Sequence, residues 1–138
     1  MQQAQTEFTI YTDGKAFTEL TEEVAAWLSQ TGLTTGLLTL FCRHTSASLL
    51  INENAAPAVQ HDLLHWLSRA APEGGPYEHD DEGPDDMPAH IRTMVTGASL
   101  SIPVRDGRMA LGTWQGIFLA EHRTRPHARS VVAHLIGD

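Results

Sequence analysis

A chain of 138 residues, 41% hydrophobic and 19% charged, has the composition and length of one ordinary globular domain. It buries roughly two-thirds of its unfolded surface, so folding requires neither a disulfide nor a structural metal. A net charge of −8 argues against nucleic acid as the main partner, because phosphate backbones are held by clustered Lys and Arg.

Other classes fall away on simple grounds. No apolar run approaches the roughly 18 residues of a membrane span, and Met1 to Glu7 lacks the basic region and apolar core of a signal peptide. A cytoplasmic protein with no membrane partner is expected. Cys42 is the sole cysteine and lies in the apolar run Leu37 to Cys42, so it reads as a small buried hydrophobe. It excludes an intramolecular disulfide and fits a reducing compartment.

In chain order, Thr6 to Thr12 alternates Phe8 and Ile10 with polar residues and predicts a first strand. Asp13-Gly14 marks a turn. Phe17, Leu20, Val24, Trp27 and Leu28 recur at helical spacing, with Thr18 as a cap and Gly32 as a stop. Thr34 to Arg43 is a strand apolar enough to predict burial on both faces. Ser48 to Asn52 reads as a short strand. A helix starts at Pro57 and runs to about Ala71, before Pro72, with Val59, Leu63, Trp66, Leu67 and Ala70 as its core stripe.

Glu73 to Met87 is rich in Gly, Pro and acidic residues and lacks apolar periodicity. A loop this long inside a compact domain is typically functional or disordered. A short helix over Pro88 to Thr96 ends at Gly97. Ala98 to Val104, Met109 to Leu111, Thr113 to Glu121 and Ser130 to Ile136 predict strands, with Asp106-Gly107 as a hairpin turn. Strands dominate and βα alternation is not sustained. The expected class is α+β, a single domain on a mixed or antiparallel sheet folded over as a sandwich with inserted helices.

Three polar clusters interrupt the apolar runs. The first is His44-Thr45-Ser46-Ala47-Ser48, leading to Asn52-Glu53-Asn54. His44 at a strand end suits a metal ligand or an acid–base group, against the simpler role of a satisfied histidine. In the second, His79 and His90 bracket Asp80, Asp81, Glu82, Asp85 and Asp86, a mixed nitrogen and oxygen set suited to a divalent metal, or merely a solvated acidic loop. The third is Gly112-Thr113-Trp114-Gln115-Gly116, whose glycines permit close backbone approach. Trp114 offers an aromatic wall or core volume, and Gln115 an amide fork. Arg123, Arg125 and Arg129 cluster near the C-terminus, where they suit a small phosphorylated ligand. His61-Asp62-Leu63-Leu64-His65 has zincin-like spacing, but the aspartate is short for a general base and the stretch reads as a solvated helix face.

On these residues the chain resembles the YjbQ family, also described as secondary thiamine-phosphate synthase-like proteins. The resemblance runs through His44-Thr45-Ser46-Ala47, Ile51-Asn52-Glu53-Asn54-Ala55, Asp62-Leu63, Asp85-Asp86-Met87-Pro88-Ala89-His90-Ile91, Gly97 to Val104, Gly107 to Gly116 and Arg129. It implies a β-sandwich-like α+β fold, a homotrimer with sites between subunits, and a thiamine-phosphate synthase activity. That reaction couples a hydroxymethylpyrimidine diphosphate to a thiazole phosphate and releases pyrophosphate. A divalent ion, Mg²⁺ or Zn²⁺, would neutralise the leaving group. On this reading His44, Asn52 and Glu53 are the catalytic candidates, and Trp114, Gln115 and Arg129 bind the substrate. His44, His79 and His90 hold the metal. The same residues equally suit a metal-dependent hydrolase of a small phosphorylated compound, or a non-enzymatic metal- or metabolite-binding trimer.

Overall fold

A computed structural model describes all 138 residues. The strands are β1 (Gln2–Thr12), β2 (Ala16–Glu19), β3 (Gly36–Cys42), β4 (Ala47–Glu53), β5 (Ser99–Arg105), β6 (Arg108–Met109), β7 (Gln115–Glu121) and β8 (His127–Gly137). The helices are α1 (Thr21–Thr31), α2 (Pro57–Ala70) and α3 (Asp86–Thr96). A five-stranded sheet runs β1-β8-β3-β5-β6 and a three-stranded sheet runs β2-β7-β4. Every strand pair is antiparallel. The class is α+β, as expected.

The core lies between the two sheets. Leu38, Leu40, Ile102, Ala133 and Leu135 of the larger sheet join Ala47, Leu49, Ile117 and Leu119 of the smaller one, and α1 adds Val24 and Leu28. Alternation along each strand places these side chains inward. The expected burial of both faces of β3 does not occur. Leu38 and Leu40 are fully buried, whereas Leu37 and Phe41 are 43% and 48% exposed, because nothing covers the outer face of the larger sheet at those positions. The strand buried on both faces is instead β7, where every residue from Gly116 to Glu121 is buried. It is the middle strand of its sheet, and Phe118 on its second face meets the ring of Phe17, with centroids 6.2 Å apart.

Two helical expectations are corrected. Phe17 belongs to β2, paired with Ala120, and α1 begins only at Thr21. The 3–4 spacing of Phe17, Leu20 and Val24 spans a strand, a turn and a helix start; Leu20 and Val24 enter the core, whereas Phe17 packs on Phe118 across the other face of the smaller sheet. No side chain caps α1 at its start, so Thr18 is not a cap; Gly32 does end the helix, in the left-handed conformation. In α2 the predicted core stripe is mostly unburied. Leu67 is its buried residue, and Trp66 is 51% exposed. The Asp106-Gly107 turn forms as read, with φ of 53° and 74°, closing β5 onto β6. No helix is long and apolar enough to cross a membrane.

Candidate metal centre

The acidic segment after α2 folds back over the start of α3. Asp85 and Asp86 are buried at the beginning of that helix, where its positive end favours carboxylates. Arg123, just beyond β7, fixes them. Its Nε donates to Asp85 Oδ2 at 2.9 Å, one terminal nitrogen donates to Asp86 Oδ1 at 2.8 Å, and the other donates to the Glu82 carbonyl at 2.9 Å. The Thr124 backbone N–H adds a further bond to Asp85 at 2.9 Å. Burial pushes the Asp85 carboxyl up, but these donors outweigh it and hold the group well below the ordinary carboxylate range.

Asp86 turns its second oxygen, Oδ2, to two histidines. His79 Nε2 lies 2.8 Å away and His90 Nε2 lies 3.1 Å away. The spacing from Asp86 to His90 is one helical turn, which brings both onto one face of α3. Glu82 Oε2 lies 2.9 Å from His79 Nε2. One donor atom from each of His79, Glu82, Asp86 and His90 falls within 4.8 Å of all the others.

The proton on the His90 ring is over-committed. His90 Nδ1 lies 2.9 Å from the Thr45 carbonyl oxygen, which only accepts, so Nδ1 carries a hydrogen. A neutral ring then has a bare Nε2, yet Nε2 faces a carboxylate. Both contacts are satisfied only if the ring is an imidazolium or a cation sits between nitrogen and oxygen. His79 carries its hydrogen on Nε2, which faces both Glu82 and Asp86, and its Nδ1 lies 3.5 Å from the exposed Asp81 Oδ1. Its hydrogen bonds to Asp86 and then Glu82 raise its pKa above the ordinary imidazole value. Burial pushes Asp86 up, but the bond to His79 and the nearby positive charges bring it below its usual value.

His44 does not join this set. Its Nε2 accepts the Ser130 backbone N–H at 2.8 Å, and its Nδ1 faces Arg129 at 3.4 Å. The lone pair a metal would need is already used. Burial, then the Arg129 charge, lowers its pKa and keeps the ring neutral. Asn52 and Glu53 stand at the other end of β4. Six strand steps separate Ala47 from Glu53, about 20 Å. There Asn52 Oδ1 accepts the Glu53 N–H at 2.8 Å and Glu53 Oε2 accepts the Ala56 N–H at 3.4 Å. The three catalytic candidates therefore share no site within one chain.

The substrate-binding candidates are also dispersed. Arg129 is 4% exposed, and its donors are spent on the buried Glu121 and on Ser46. Thr12 completes the Glu121 carboxylate at 2.6 Å. Trp114 is 63% exposed, neither core nor the wall of an enclosed pocket. Gln115 Oε1 accepts the Gly112 N–H at 2.8 Å and so closes its own loop. Gly116 does serve close approach, since a Cβ there would lie 2.8 Å from both Asn54 Cβ and Glu19 Oε2. His61, Asp62 and His65 are exposed on α2, as expected of a solvated face.

Sequence reasoning missed a second polar group, buried beneath α3. Ser48 Oγ meets His122 Nε2 at 2.8 Å and Thr96 Oγ1 at 2.5 Å. Burial brings His122 down to about 4, so it is neutral across the physiological range. The signal was present in Glu121-His122 ending an apolar strand, where charged or titratable residues demand partners.

Comparison with known proteins agrees with the architecture. The family model described as "UPF0047 protein YjbQ-like" matches residues 6–138. The UPF0047 protein sll1880 of Synechocystis sp. is 50% identical over 94% of this chain and 88% of its own length. The UPF0047 protein YjbQ of Escherichia coli O157:H7 is 44% identical, covering 94% and 95%. A crystal structure from Clostridium acetobutylicum, an uncharacterized conserved protein of the yjbq/upf0047 family, superposes with a TM-score of 0.89 at 36% identity, covering 95% and 99%. A Sulfolobus solfataricus structure, described as a YbjQ-like protein of unknown function, shares the fold with a TM-score of 0.88 at 23% identity over 99% and 100%.

These relatives correct the functional expectation. They carry only UPF0047 or YjbQ-like names or descriptions of unknown function, and none supports a thiamine-phosphate synthase or a transferase. On sequence and fold together, the chain belongs to the YjbQ/UPF0047 family.

Proposed function

We propose that the chain binds one divalent transition-metal ion through His79, Glu82, Asp86 and His90. The observation that carries this reading is the proton conflict at His90, where Nδ1 faces a carbonyl and Nε2 faces a buried carboxylate. A metal on Nε2 resolves it without protonating the ring. The hydrogen bond from Nδ1 to a backbone carbonyl is the usual outer support of a metal-bound histidine. Two imidazoles and two carboxylates favour Zn²⁺-like ions over Mg²⁺, which prefers oxygen donors and retains its waters. Zn²⁺ bonds of about 2.0–2.1 Å need donors roughly 3–4 Å apart, so on binding the closest pairs, at 2.8 and 2.9 Å, open slightly and the wider ones, within 4.8 Å, close. Glu82 supplies that movement, since its side chain is 61% exposed. It is also the donor that a water or a small oxyanion displaces most easily.

Equilibrium dialysis against Zn²⁺ tests the reading. One ion per chain is expected for the parent, with at least a tenfold loss of affinity in Asp86→Asn. Equal, loose binding in both would refute it. Two further expectations remain proposals: a cytosolic location, supported by the single buried thiol, and assembly as a trimer.

A further inference from the structure

One buried cation lacks an ionic partner. Arg92, on α3, is 4% exposed. Unlike Arg123 and Arg129 it has no carboxylate partner. A terminal nitrogen donates to the Ala71 carbonyl at 2.9 Å, and the buried Nε–H has no partner. A buried charge held by one neutral acceptor is costly to the fold, and such a group calls for an explanation.

Its place in the chain supplies one. Ala71 is the residue that ends α2, where carbonyls lack helical partners and the helix dipole is negative. The next residues, Pro72 to Asp85, carry His79 and Glu82 across the surface without secondary structure of their own. Asp86 and His90 stand on α3 itself. Arg123 already clamps the far end of this segment through Glu82, Asp85 and Asp86. Arg92 clamps the near end. We infer that Arg92 is a positioning residue for the metal cluster, tying the start of the segment that carries His79 and Glu82 to the helix that carries Asp86 and His90. The inference rests on the metal reading above. Because one N–H makes the link and Nε makes none, a lysine should serve in its place, whereas a residue without a donor should not.

The test is Co²⁺ titration by calorimetry and visible absorption on the parent, Arg92→Lys and Arg92→Met, with amide hydrogen exchange of the metal-free proteins. Arg92→Met should lose at least tenfold in Co²⁺ affinity, the usual scale for losing an outer support. Its residues 72–85 should exchange faster than the parent's, and its absorption should shift toward that of fewer nitrogen donors. Arg92→Lys should stay within about threefold of the parent, because the single bond is kept. Parental affinity and spectrum in Arg92→Met would overturn the inference, as would a loss in Arg92→Lys equal to that in Arg92→Met. A parent that binds no Co²⁺ would instead sink the metal reading. If Arg92→Met does not fold, Arg92→Ala, which also lacks a donor, replaces it with the same two outcomes.

Discussion

The buried ionisable groups divide by what surrounds them. Glu121 is buried, but two arms of Arg129, the Thr12 hydroxyl and the Arg123 backbone N–H surround its carboxylate, and they outweigh the upward push of burial. Arg129→Met should cost about 3–5 kcal/mol by urea unfolding, because it strands that carboxylate in the core. Changing both residues to apolar ones should cost much less. His122 behaves differently. Its folded pKa, about 4, lies below the ordinary 6.5. The unfolded chain therefore binds the extra proton first, and stability falls as pH drops from about 6.5 toward 4, by up to about 3 kcal/mol. His122→Gln should flatten that part of the unfolding curve.

His79 has the opposite sign. Its raised pKa favours the metal-free fold at low pH, and that contribution is lost as pH rises through the raised value. Protons compete with metal for the same nitrogen, so Zn²⁺ affinity should climb across and above the ordinary imidazole range. Affinity independent of pH between 5.5 and 8, a span of roughly the usual imidazole titration, would place the metal elsewhere. Cys42 takes no part in this chemistry. Burial lifts its thiol to about 11, which leaves it inert as the sequence suggested.

At the scale of elements, periodicity located every strand from β3 onward to within a few residues, and the Asp106-Gly107 turn by its chemistry. It erred where one apolar spacing crossed two elements, at Phe17 to Val24, and where apolar residues decorate a surface helix, at Trp66. Strand neighbours are invisible to it. Arg129 meets Glu121 only because β7 and β8 lie in facing sheets, and His44 meets Ser130 only through the pairing of β3 with β8. The cluster of His79, Glu82, Asp86 and His90, proposed here to hold a metal, was half legible as a cluster. Asp86 to His90 is a helical spacing, and the acidic segment with its two histidines was marked as a metal candidate. What no sequence pattern shows is that the ring of His44 turns toward Ser130 on β8. Trp114 provides a check at this scale. A core tryptophan truncated to alanine costs about 3–5 kcal/mol, whereas an exposed one should cost less than about 1. Thermal melting of Trp114→Ala should show little change, and a collapse would mean the loop is packed in the assembled protein.

For the whole molecule, two antiparallel sheets share one core, and the larger sheet leaves Leu37 and Phe41 open to solvent. The proposed trimer contact would use that face. Static light scattering on the parent and on Phe41→Glu should show three chains for the parent and a smaller species for the variant. A monomeric parent would remove the assembly from the account.

The metal centre itself is tested most directly at the ring nitrogens. Long-range proton–nitrogen NMR correlations separate the eight histidines and report the state of each nitrogen. On adding one equivalent of Zn²⁺, Nε2 of His79 and His90 should move to the metal-bound position while the rings of His44 and His122 stay unchanged. Unmoved signals at His79 and His90, or a shift confined to His61 and His65 on α2, would contradict the assignment.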